Sequence, residues 1–333
     1  MKASIIIATY MRAPSLRDTL ACVTRQDLEP EEYEIVVVDN SLSPSTEVRK
    51  AAEAYSKQFR NLRYLHFAPN GATSARHFGV KAARGECLVF IDDDVLCEPG
   101  WLRQLLQPFS DARVGLVFGK TVLRYEVEPP AWAAAFSVFL SRLDLGEQSR
   151  QLVPYETGYS CNMAVRARVF VEVQGLNPCY FGDPRFLKYC GDGECGLARK
   201  VHDHGDRVWY SVEAWLHHRV VAQRLSPDYM LRRARTSGVE SVYCYFRYEK
   251  PGLVRLGGHA LMCLAKAAVR QVLALPHGPS SNPAVRGRAA ACHHWHAFRQ
   301  SVRLLASPEL KAFVRRPDYM DWCPPGGTPP TAC

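Results

Sequence analysis

Residues 87–96 of the chain read CLVFIDDDVL, an apolar run of five residues followed at once by three carboxylates. Short apolar runs of this kind are typical of strands that are buried on both faces of a sheet. Adjacent carboxylates repel one another unless a cation offsets their charge, and their hard oxygens suit Mg²⁺ or Mn²⁺. An exposed acidic turn is the alternative. Because ligands of open α/β sheets bind beyond the carboxyl ends of the strands, Asp92, Asp93 and Asp94 indicate a metal-dependent site.

Strand and helix patterns alternate on both sides of this run. The apolar pattern predicts strands over residues 4–8, 34–38, 62–67, 87–91 and 114–118. It predicts helices over residues 14–25, 45–59, 73–83 and 101–109. Short apolar strands joined by helices favour an α/β fold with a mostly parallel sheet. Residues 131–143 are apolar with a helical period, which favours a helix that packs in the core over an acceptor platform.

Length and charge divide the chain. Its 333 residues exceed the ~250 to 300 that one core usually supports, so we expect a catalytic domain over residues 1–222 and a helical extension over 223–323. Residues 324–333, rich in Pro and Gly, are expected to be a loose tail. Net charge is +9, and residues 219–333 carry 17 Lys and Arg against 6 Asp and Glu. This excess indicates an anionic partner; a membrane is favoured over nucleic acid, since no nucleic-acid motif accompanies the charge.

The cysteines and the N-terminus favour a cytoplasmic protein. The chain has 12 cysteines but no CxxC pair, which predicts reduced and mostly buried thiols. The N-terminal residues MKASIIIATYMR do not read as a signal peptide. No apolar run reaches the ~20 residues of a spanning helix, so we expect at most a peripheral location on the inner face of a membrane. His293, His294 and His296 lack a partner acid and are interpreted as non-metallic.

Four motifs resemble family 2 glycosyltransferases with the GT-A fold. They are SIIIATYMR (4–12), EIVVVDNS (34–41), GATSARHFGVKAARGE (71–86) and the D-x-D element FIDDDV (90–95), in that order. The resemblance implies a nucleotide-binding half over residues 1–120, an acceptor-side half over 121–222, and a Mg²⁺ or Mn²⁺ ion. It also implies inverting transfer from a nucleotide-sugar donor to a hydroxyl of a glycan or lipid-linked glycan acceptor.

Carried over residue by residue, the resemblance assigns donor binding to the loop residues Thr9, Tyr10, Arg12, Asp39, Arg76, Gly79, Asp92 and Asp93. It makes Asp94 a metal ligand. Several of these residues have ordinary alternatives: Tyr10 could pack at the sheet edge, Arg76 could pair with Glu86, and Gly79 could relieve crowding between helix and strand. His77 stands where the family usually has Asn, which leaves its local hydrogen bonding open.

The later motifs match less closely. The segment YCGDGECGLARKVHDHG (189–205) resembles the family's E-D-x-x-L-x-x-R motif, so Glu194 is the candidate general base and Asp192 the alternate. Both acids could instead cap a helix. The segment GYSCNMAVRARVF (158–170) nominates Asn162 near the donor sugar, and Gly175-Leu176-Asn177 departs from the family's GGFD turn. His218 is the candidate third metal ligand, because two adjacent histidines in a strand point to opposite faces.

Residues 253–275 have an apolar stripe at helical spacing, with Arg255, His259, Lys266 and Arg270 on the other side. This pattern fits a helix lying in a membrane interface or one packed on the catalytic domain. Upstream, Arg224, Arg232, Arg233 and Arg235 could meet lipid head groups or the diphosphate of a lipid-linked acceptor.

Two other functions are weighed against glycosyl transfer. A sugar-phosphate nucleotidylyltransferase should carry a Gly-rich triphosphate loop near the N-terminus, and the sequence shows none. A non-catalytic module that binds nucleotide-sugar or membrane is favoured only by the altered GDGE segment (191–194).

Overall fold

The computed structural model describes residues 1–68, 71–179, 184–278 and 280–322, so the expected tail over 324–333 lies outside the described residues. The first part alternates strand and helix, which confirms the prediction. The elements are β1 (Ala3–Thr9), α1 (Ala13–Val23), β2 (Tyr33–Asp39), α2 (Thr46–Ser56), β3 (Leu62–His66), α3 (Ala72–Ala82) and β4 (Cys87–Asp92).

These four strands pair in parallel in the order β3-β2-β1-β4. Thr9 is in register with Asp39, and Ala8 is in register with Asp92. The polar residues that end β1, β2 and β4 therefore meet at one edge of the sheet, as the sequence predicts.

The rest of the sheet is mixed. Its elements are β5 (Val95–Cys97), α4 (Trp101–Leu106), β6 (Val114–Tyr125), β7 (Arg150–Gln151), β8 (Asn162–Arg166), α5 (Ala167–Glu172), α6 (Gly193–Asp203) and β9 (Arg207–Val220). Strand β8 runs antiparallel to both β4 and β6, and β6 and β9 are parallel. The order continues from β4 as β8-β6-β9-β5. Strand β9, which comes late in the chain, thus lies close to the acidic triplet, because its His218 is in register with Val95.

Both faces of the sheet are buried. In β1, Ile5 and Ile7 lie in one apolar cluster with Leu16 of α1, whereas Ile6 lies in a second cluster on the opposite face. Alternate residues of a strand point to opposite faces, so an uninterrupted apolar strand needs cover on both sides. The helices supply this cover, which is why the short runs lack a polar face.

Several boundaries differ from the prediction. The strand predicted over 114–118 continues to Tyr125, and the helix predicted over 101–109 is an α-helix only over Trp101–Leu106. Residues 131–143 do not form an α-helix; 3₁₀ turns span Ala133–Leu140, with a kink at Phe136. The predicted core role is confirmed, since Trp132, Phe136 and Leu140 pack with residues of the extension. Apolar periodicity alone cannot separate a helix from successive tight turns.

The extension is helical, as predicted. It comprises α7 (Pro227–Tyr248), α8 (Leu253–Ala274), α9 (Asn282–Ala306) and α10 (Pro308–Val314). Ser226 and Ser281 accept hydrogen bonds from the backbone of the first turns of α7 and α9, which fixes where these helices begin. A Cβ on Gly287 would lie 2.8 Å from Ala274 Cβ, so α8 and α9 approach closely. Among the described residues, no helix is long and apolar enough to cross a membrane.

Candidate active site

The acidic triplet is not an exposed turn. Asp93 and Asp94 are buried and Asp92 is half-buried. Thr9 Oγ1 donates to Asp93 Oδ2 at 2.6 Å. Arg12 Nη1 donates to Asp93 Oδ1 at 2.9 Å and to Asp94 Oδ2 at 3.0 Å. The loop after β1 therefore neutralises part of the charge that follows β4.

The two buried carboxylates have pKa values that are shifted in opposite directions. Burial, reinforced by the neighbouring Asp94, raises the pKa of Asp93 to about 6. Burial alone would also raise the pKa of Asp94, but the adjacent His218, Arg224 and Arg12 hold it well below its usual range. Asp94 is thus the carboxylate that carries a permanent negative charge at this edge of the sheet.

Asp94 and His218 face each other in a way that fits a bound cation. His218 Nδ1 lies 2.9 Å from the carbonyl oxygen of Leu140, which can only accept. His218 Nε2 lies 3.1 Å from Arg224 Nη1, which can only donate. These contacts put the proton on Nδ1 and the lone pair on Nε2, where it accepts from Arg224. Nε2 also lies 3.2 Å from Asp94 Oδ1, a buried atom without a hydrogen-bond partner in the described structure.

Asp92 completes the cluster. One ligand atom from each of Asp92, Asp94 and His218 lies within 4.8 Å of the other two. Two carboxylates and a neutral imidazole make a donor set that Mg²⁺ or Mn²⁺ accepts. The neighbouring His217 belongs to the opposite side of the strand, where its ring packs against Trp215. The described residues could therefore hold a divalent metal at the end of β4.

Arg224 contacts this cluster, although the sequence suggested contact with lipid head groups or with the diphosphate of a lipid-linked acceptor. Its Nη2 donates to Asp94 Oδ2 at 2.6 Å. The signal available in the sequence was the cluster of arginines over residues 224–235, most of which lie in α7. The contact itself joins residues 130 positions apart, so no local pattern identifies it.

The side chain of Asp39 holds the loop that follows β2. One of its oxygens accepts from the backbone and hydroxyl of Ser41, and the other accepts from the Ser45 backbone at 2.8 Å and the Tyr64 hydroxyl at 2.7 Å. The buried carboxylate therefore organises the loop after β2. In contrast, Tyr10 is exposed, and the next residue, Met11, has a φ of 53°. The loop after β1 thus presents an aromatic ring to solvent beside the acidic triplet.

Arg76 links the metal cluster to α6. Its Nη2 donates to Asp92 Oδ1 at 2.7 Å, so the pairing with Glu86 that was the alternative is wrong. Arg76 is buried, and Glu194 is among the charges that interact with it. Burial raises the pKa of Glu194, Arg76 opposes this rise, and Asp92 adds to it. The carboxylate of Glu194 therefore belongs to the electrostatic environment of the acidic triplet.

The two candidate bases have different surroundings. Asp192 is buried, with Oδ1 accepting from Asn177 Nδ2 at 2.7 Å and Oδ2 accepting from the Tyr248 hydroxyl at 2.6 Å. It precedes α6 but makes no side-chain cap hydrogen bond. Glu194 lies in the first turn of α6 and is only half-buried. Asp192 thus ties α6 to α7, whereas the side chain of Glu194 is partly exposed.

Helix α7 brings two further charges that the sequence did not assign to catalysis. Burial raises the pKa of Glu240 to about 7, opposed by Arg233 and assisted by Glu194 and Asp192. Arg233 interacts electrostatically with Glu240 and Glu194, and its Nε is buried without a hydrogen-bond partner among the described residues. The sequence pointed only to the arginine cluster. The structure places one member beside the candidate base.

Two of the residues that are expected to bind the donor make close contacts within the protein. A Cβ on Gly79 would lie 2.6 Å from Ile6 Cγ2, so this glycine permits close packing of α3 on the sheet. Asn162 is fully buried; its Oδ1 accepts from Trp101 Nε1 at 3.0 Å, and its Nδ2 donates to the carbonyls of Lys120 and Ala214. The donor roles of both residues stay predictions: Gly79 packs against the sheet, and the Asn162 amide makes three hydrogen bonds within the protein.

The two segments that depart from the family pattern are in contact with each other. His77, which stands where the family usually has Asn, accepts a hydrogen bond at Nε2 from the backbone N–H of Leu176 at 3.0 Å. Leu176 belongs to the segment that replaces the GGFD turn. Burial, together with Lys200, lowers the pKa of His77 to about 3. The neutral imidazole therefore fixes the altered turn.

We expect His77→Asn to make the free energy of unfolding less sensitive to low pH. Below its ordinary pKa of about 6.5, an unfolded His binds a proton that folded His77 rejects, so stability falls as pH falls until the folded pKa of about 3 is reached. Relative to the variant, the wild type should lose about 1.4 kcal/mol for each pH unit between about pH 6 and about pH 4. Urea unfolding of both proteins across this range measures the difference. Parallel stability curves would contradict it.

Comparison with solved structures identifies the fold. The chain resembles a mannosyltransferase, PcManGT from Pyrobaculum calidifontis in complex with GDP-Man and Mn²⁺, with a TM-score of 0.53 and 17% identity over 92% of this chain and 74% of that one. It also resembles S. aureus TarS 1-349 in complex with UDP-GlcNAc, with a TM-score of 0.51 and 17% identity over 91% of each chain. The fold is thus that of GT-A glycosyltransferases, as predicted.

Sequence comparison gives the family. Residues 4–173 match the model of glycosyl transferase family 2, and the chain belongs to this family. It is 30% identical to the uncharacterized glycosyltransferase YwdF of Bacillus subtilis over 48% of this chain and 62% of that protein. It is 26% identical to the succinoglycan biosynthesis protein ExoM of Rhizobium meliloti over 70% of this chain and 71% of ExoM. The chain thus spans less than two thirds of YwdF.

Proposed function

We propose that this protein transfers a sugar from a nucleotide-sugar donor to an acceptor hydroxyl, in a metal-dependent reaction that inverts the anomeric carbon. The observation that carries the proposal is the cluster of Asp92, Asp94 and His218 at the carboxyl edge of the sheet, linked through Arg76 to Glu194. We therefore assign the metal–diphosphate site and the candidate base to one active site. Solved relatives of the same fold hold GDP-Man with Mn²⁺, or UDP-GlcNAc.

Donor binding is assigned to the loops that end β1, β2 and β4. Tyr10 is exposed and offers a ring for stacking on the base, while Thr9 and Asp39 hold these loops in shape. Arg12 is in position to neutralise phosphate charge, because its side chain is partly exposed beside Asp93 and Asp94. Asp92, held by Arg76, takes the ribose side of the donor.

The metal ligands would be Asp94 and His218, assisted by Asp92, with Mn²⁺ or Mg²⁺ as the ion. When bound, the ion stabilises the negative charge of the departing diphosphate. The carbonyl oxygen of Leu140 keeps the His218 imidazole in the tautomer that presents Nε2. Arg224, hydrogen-bonded to Asp94, places a further positive charge beside the same group.

Glu194 is assigned as the general base. It takes the proton of the acceptor hydroxyl while the acceptor oxygen forms a bond to the anomeric carbon. The bond between the anomeric carbon and the phosphate oxygen of the donor breaks at the same time, which releases a nucleoside diphosphate. A base is needed because a neutral alcohol is a poor nucleophile. The raised pKa of Glu194 makes its carboxylate a stronger base than an exposed Glu. Asp192 is the alternate, but both of its oxygens already accept hydrogen bonds.

The acceptor is proposed to be a glycan or a lipid-linked glycan, used in polysaccharide or glycoconjugate biosynthesis in the cytoplasm, on the inner face of a membrane. Arg233 supports a charged acceptor, since its guanidinium lies near Glu194 and its Nε has no partner among the described residues. The relatives point in the same direction: ExoM is a succinoglycan biosynthesis protein, and a Haloferax volcanii relative, 24% identical over 72% of this chain, is a glucosyl-dolichyl phosphate glucuronosyltransferase.

Product release tests this proposal. The purified chain is incubated with Mn²⁺ and a panel of UDP- and GDP-sugars, with or without a lipid-linked glycan fraction, and nucleotides are separated by chromatography. We expect one donor to yield a nucleoside diphosphate, faster when acceptor is present. Donor binding without release would support a non-catalytic module instead. Formation of nucleoside triphosphate after addition of pyrophosphate would support a nucleotidylyltransferase.

A further inference from the structure

Helix α8 packs on the protein through only a narrow side. Its buried residues are Leu256, Ala260, Cys263, Ala267 and Ala274. Four of these five have small side chains, and the close approach of Gly287 to Ala274 shows how α9 covers this side. The apolar stripe that the sequence identified is therefore divided: Leu256 and Ala260 face the protein, whereas Leu253, Leu261 and Leu264 do not.

Apart from Leu256, the large apolar side chains of α8 and of Leu275, which follows it, point outward. Nine of them are between 37% and 91% exposed: Leu253, Val254, Leu261, Met262, Leu264, Val269, Val272, Leu273 and Leu275. At about 100° per residue they cover an arc of about 200°, centred on Val254, Leu261 and Val272. Scattered single apolar residues are normal on a protein surface, but a continuous face of this width marks an interaction site. We call this surface the outer face of α8.

The charges around the outer face have one sign. Between Glu249 and Glu309 the sequence contains no acidic residue, but it contains eight Lys and Arg. On α8 itself, Arg255, Lys266 and Arg270 lie between the outer face and the buried side, at about 200 to 260° on the helical wheel when Leu253 is set at zero. All three are exposed. Their long side chains can reach past the apolar surface to a negatively charged layer.

We propose that the outer face of α8 lies in the interface of an anionic membrane, with its apolar side chains among the acyl chains and Arg255, Lys266 and Arg270 at the phosphate groups. A large apolar face flanked by basic residues is the pattern of interfacial helices. Helix α8 would lie on the membrane, since no described helix can span it. This inference does not depend on the proposed reaction.

A second copy of this chain fits the same surface less well. A two-fold contact would place α8 against α8, because such an interface uses the same patch of both subunits. The basic residues would then face each other across the contact, and no acid of α8 or α9 could pair with them. Juxtaposed like charges oppose association, whereas anionic lipids supply the complementary charge.

Vesicle binding tests the proposal on the full chain. Sedimentation is measured with vesicles of phosphatidylcholine and with an equal mixture of phosphatidylcholine and phosphatidylglycerol. We expect binding to the mixed vesicles, and a decrease of at least about tenfold for Leu261→Gln with Val272→Gln, which removes apolar area from the centre of the outer face. Lys266→Gln with Arg270→Gln should weaken binding to the mixed vesicles by about fivefold for each charge.

A matched control separates the outer face from exposed apolar residues in general. Val153 and Val171 are 60% and 62% exposed, close to the 68% of Leu261 and the 62% of Val272. Val153→Gln with Val171→Gln should therefore bind vesicles like the wild type. Donor affinity measured by calorimetry should be unchanged in every one of these variants, so a failure of the proposed reaction would be seen separately from a failure of membrane binding.

Three outcomes would overturn the proposal. The first is a wild-type chain that does not sediment with the mixed vesicles. The second is equal binding by the wild type and by Leu261→Gln with Val272→Gln. The third is a variant that binds vesicles normally but loses a dimer seen by light scattering for the wild type, which would assign the outer face to a second copy of the chain.

Discussion

Replacing Asp94 by Ala is expected to abolish metal-dependent donor binding and transfer while the chain stays folded. Asp94 supplies the permanent negative charge of the cluster, and its Oδ1 is the buried atom that faces His218 Nε2. Removing a residue that hydrogen-bonds to a metal ligand already lowers metal affinity by about 10- to 100-fold, so removing the ligand itself should lower it more. Calorimetry of a nucleotide-sugar, with and without Mn²⁺, measures the effect.

A control variant makes this result specific. Asp203→Ala removes an exposed acid of α6 and should leave the Mn²⁺ dependence of donor binding unchanged. Asp94→Asn retains an oxygen that can accept from Arg12 and Arg224, so it separates the charge of the carboxylate from its hydrogen bonds. If Asp94→Ala binds donor with the same Mn²⁺ dependence as the wild type, the metal assignment is wrong.

Glu194→Gln should lower kcat by at least about 10²-fold, because a general base contributes about 10² to 10⁴ to the rate. Donor affinity and melting temperature should change little, since Gln keeps the size of the side chain. Asp192→Asn is the paired variant. Its carboxylate accepts hydrogen bonds from Asn177 and Tyr248, so an amide group there should cost about 1 to 3 kcal/mol of stability and much less turnover.

Steady-state kinetics and thermal melts of both variants distinguish the two acids. If Asp192→Asn slows turnover and Glu194→Gln only destabilises the chain, the register of the motif is shifted by two residues and Asp192 is the base. If neither variant slows turnover, the base lies elsewhere or the site does not catalyse transfer.

The early part of the fold could be predicted because its signals are local. Strands β1, β2 and β4 are short, largely apolar runs that end in polar residues, and parallel pairing then brings Thr9, Asp39 and Asp92 to one edge. The start of α6 beside Asp192 and Glu194 was also visible in the sequence. In contrast, the 3₁₀ turns of Ala133–Leu140 depend on the kink at Phe136, which no periodicity encodes.

The remainder of the site depends on contacts between distant segments. His77 meets Leu176 across 99 positions, and Arg224 meets Asp94 across 130. Arg233 and Glu240 of α7 enter the electrostatic surroundings of Glu194 only through tertiary packing. For the same reason the sequence could not show that Asn162 is fully hydrogen-bonded, or which side of α8 faces the protein. Only tertiary packing determines which polar atoms are left free.

The central claim is that this sheet edge binds a nucleotide-sugar together with a divalent metal. Thermal unfolding of the wild-type chain with a panel of UDP- and GDP-sugars, in Mn²⁺ and in a chelator, tests it most directly, because a ligand stabilises the folded state by RT ln(1 + [L]/Kd). We expect at least one nucleotide-sugar to raise the Tm in Mn²⁺ and not in the chelator, and Asp94→Ala to lose this rise. An equal rise with and without Mn²⁺, or none with any nucleotide-sugar, would contradict the claim.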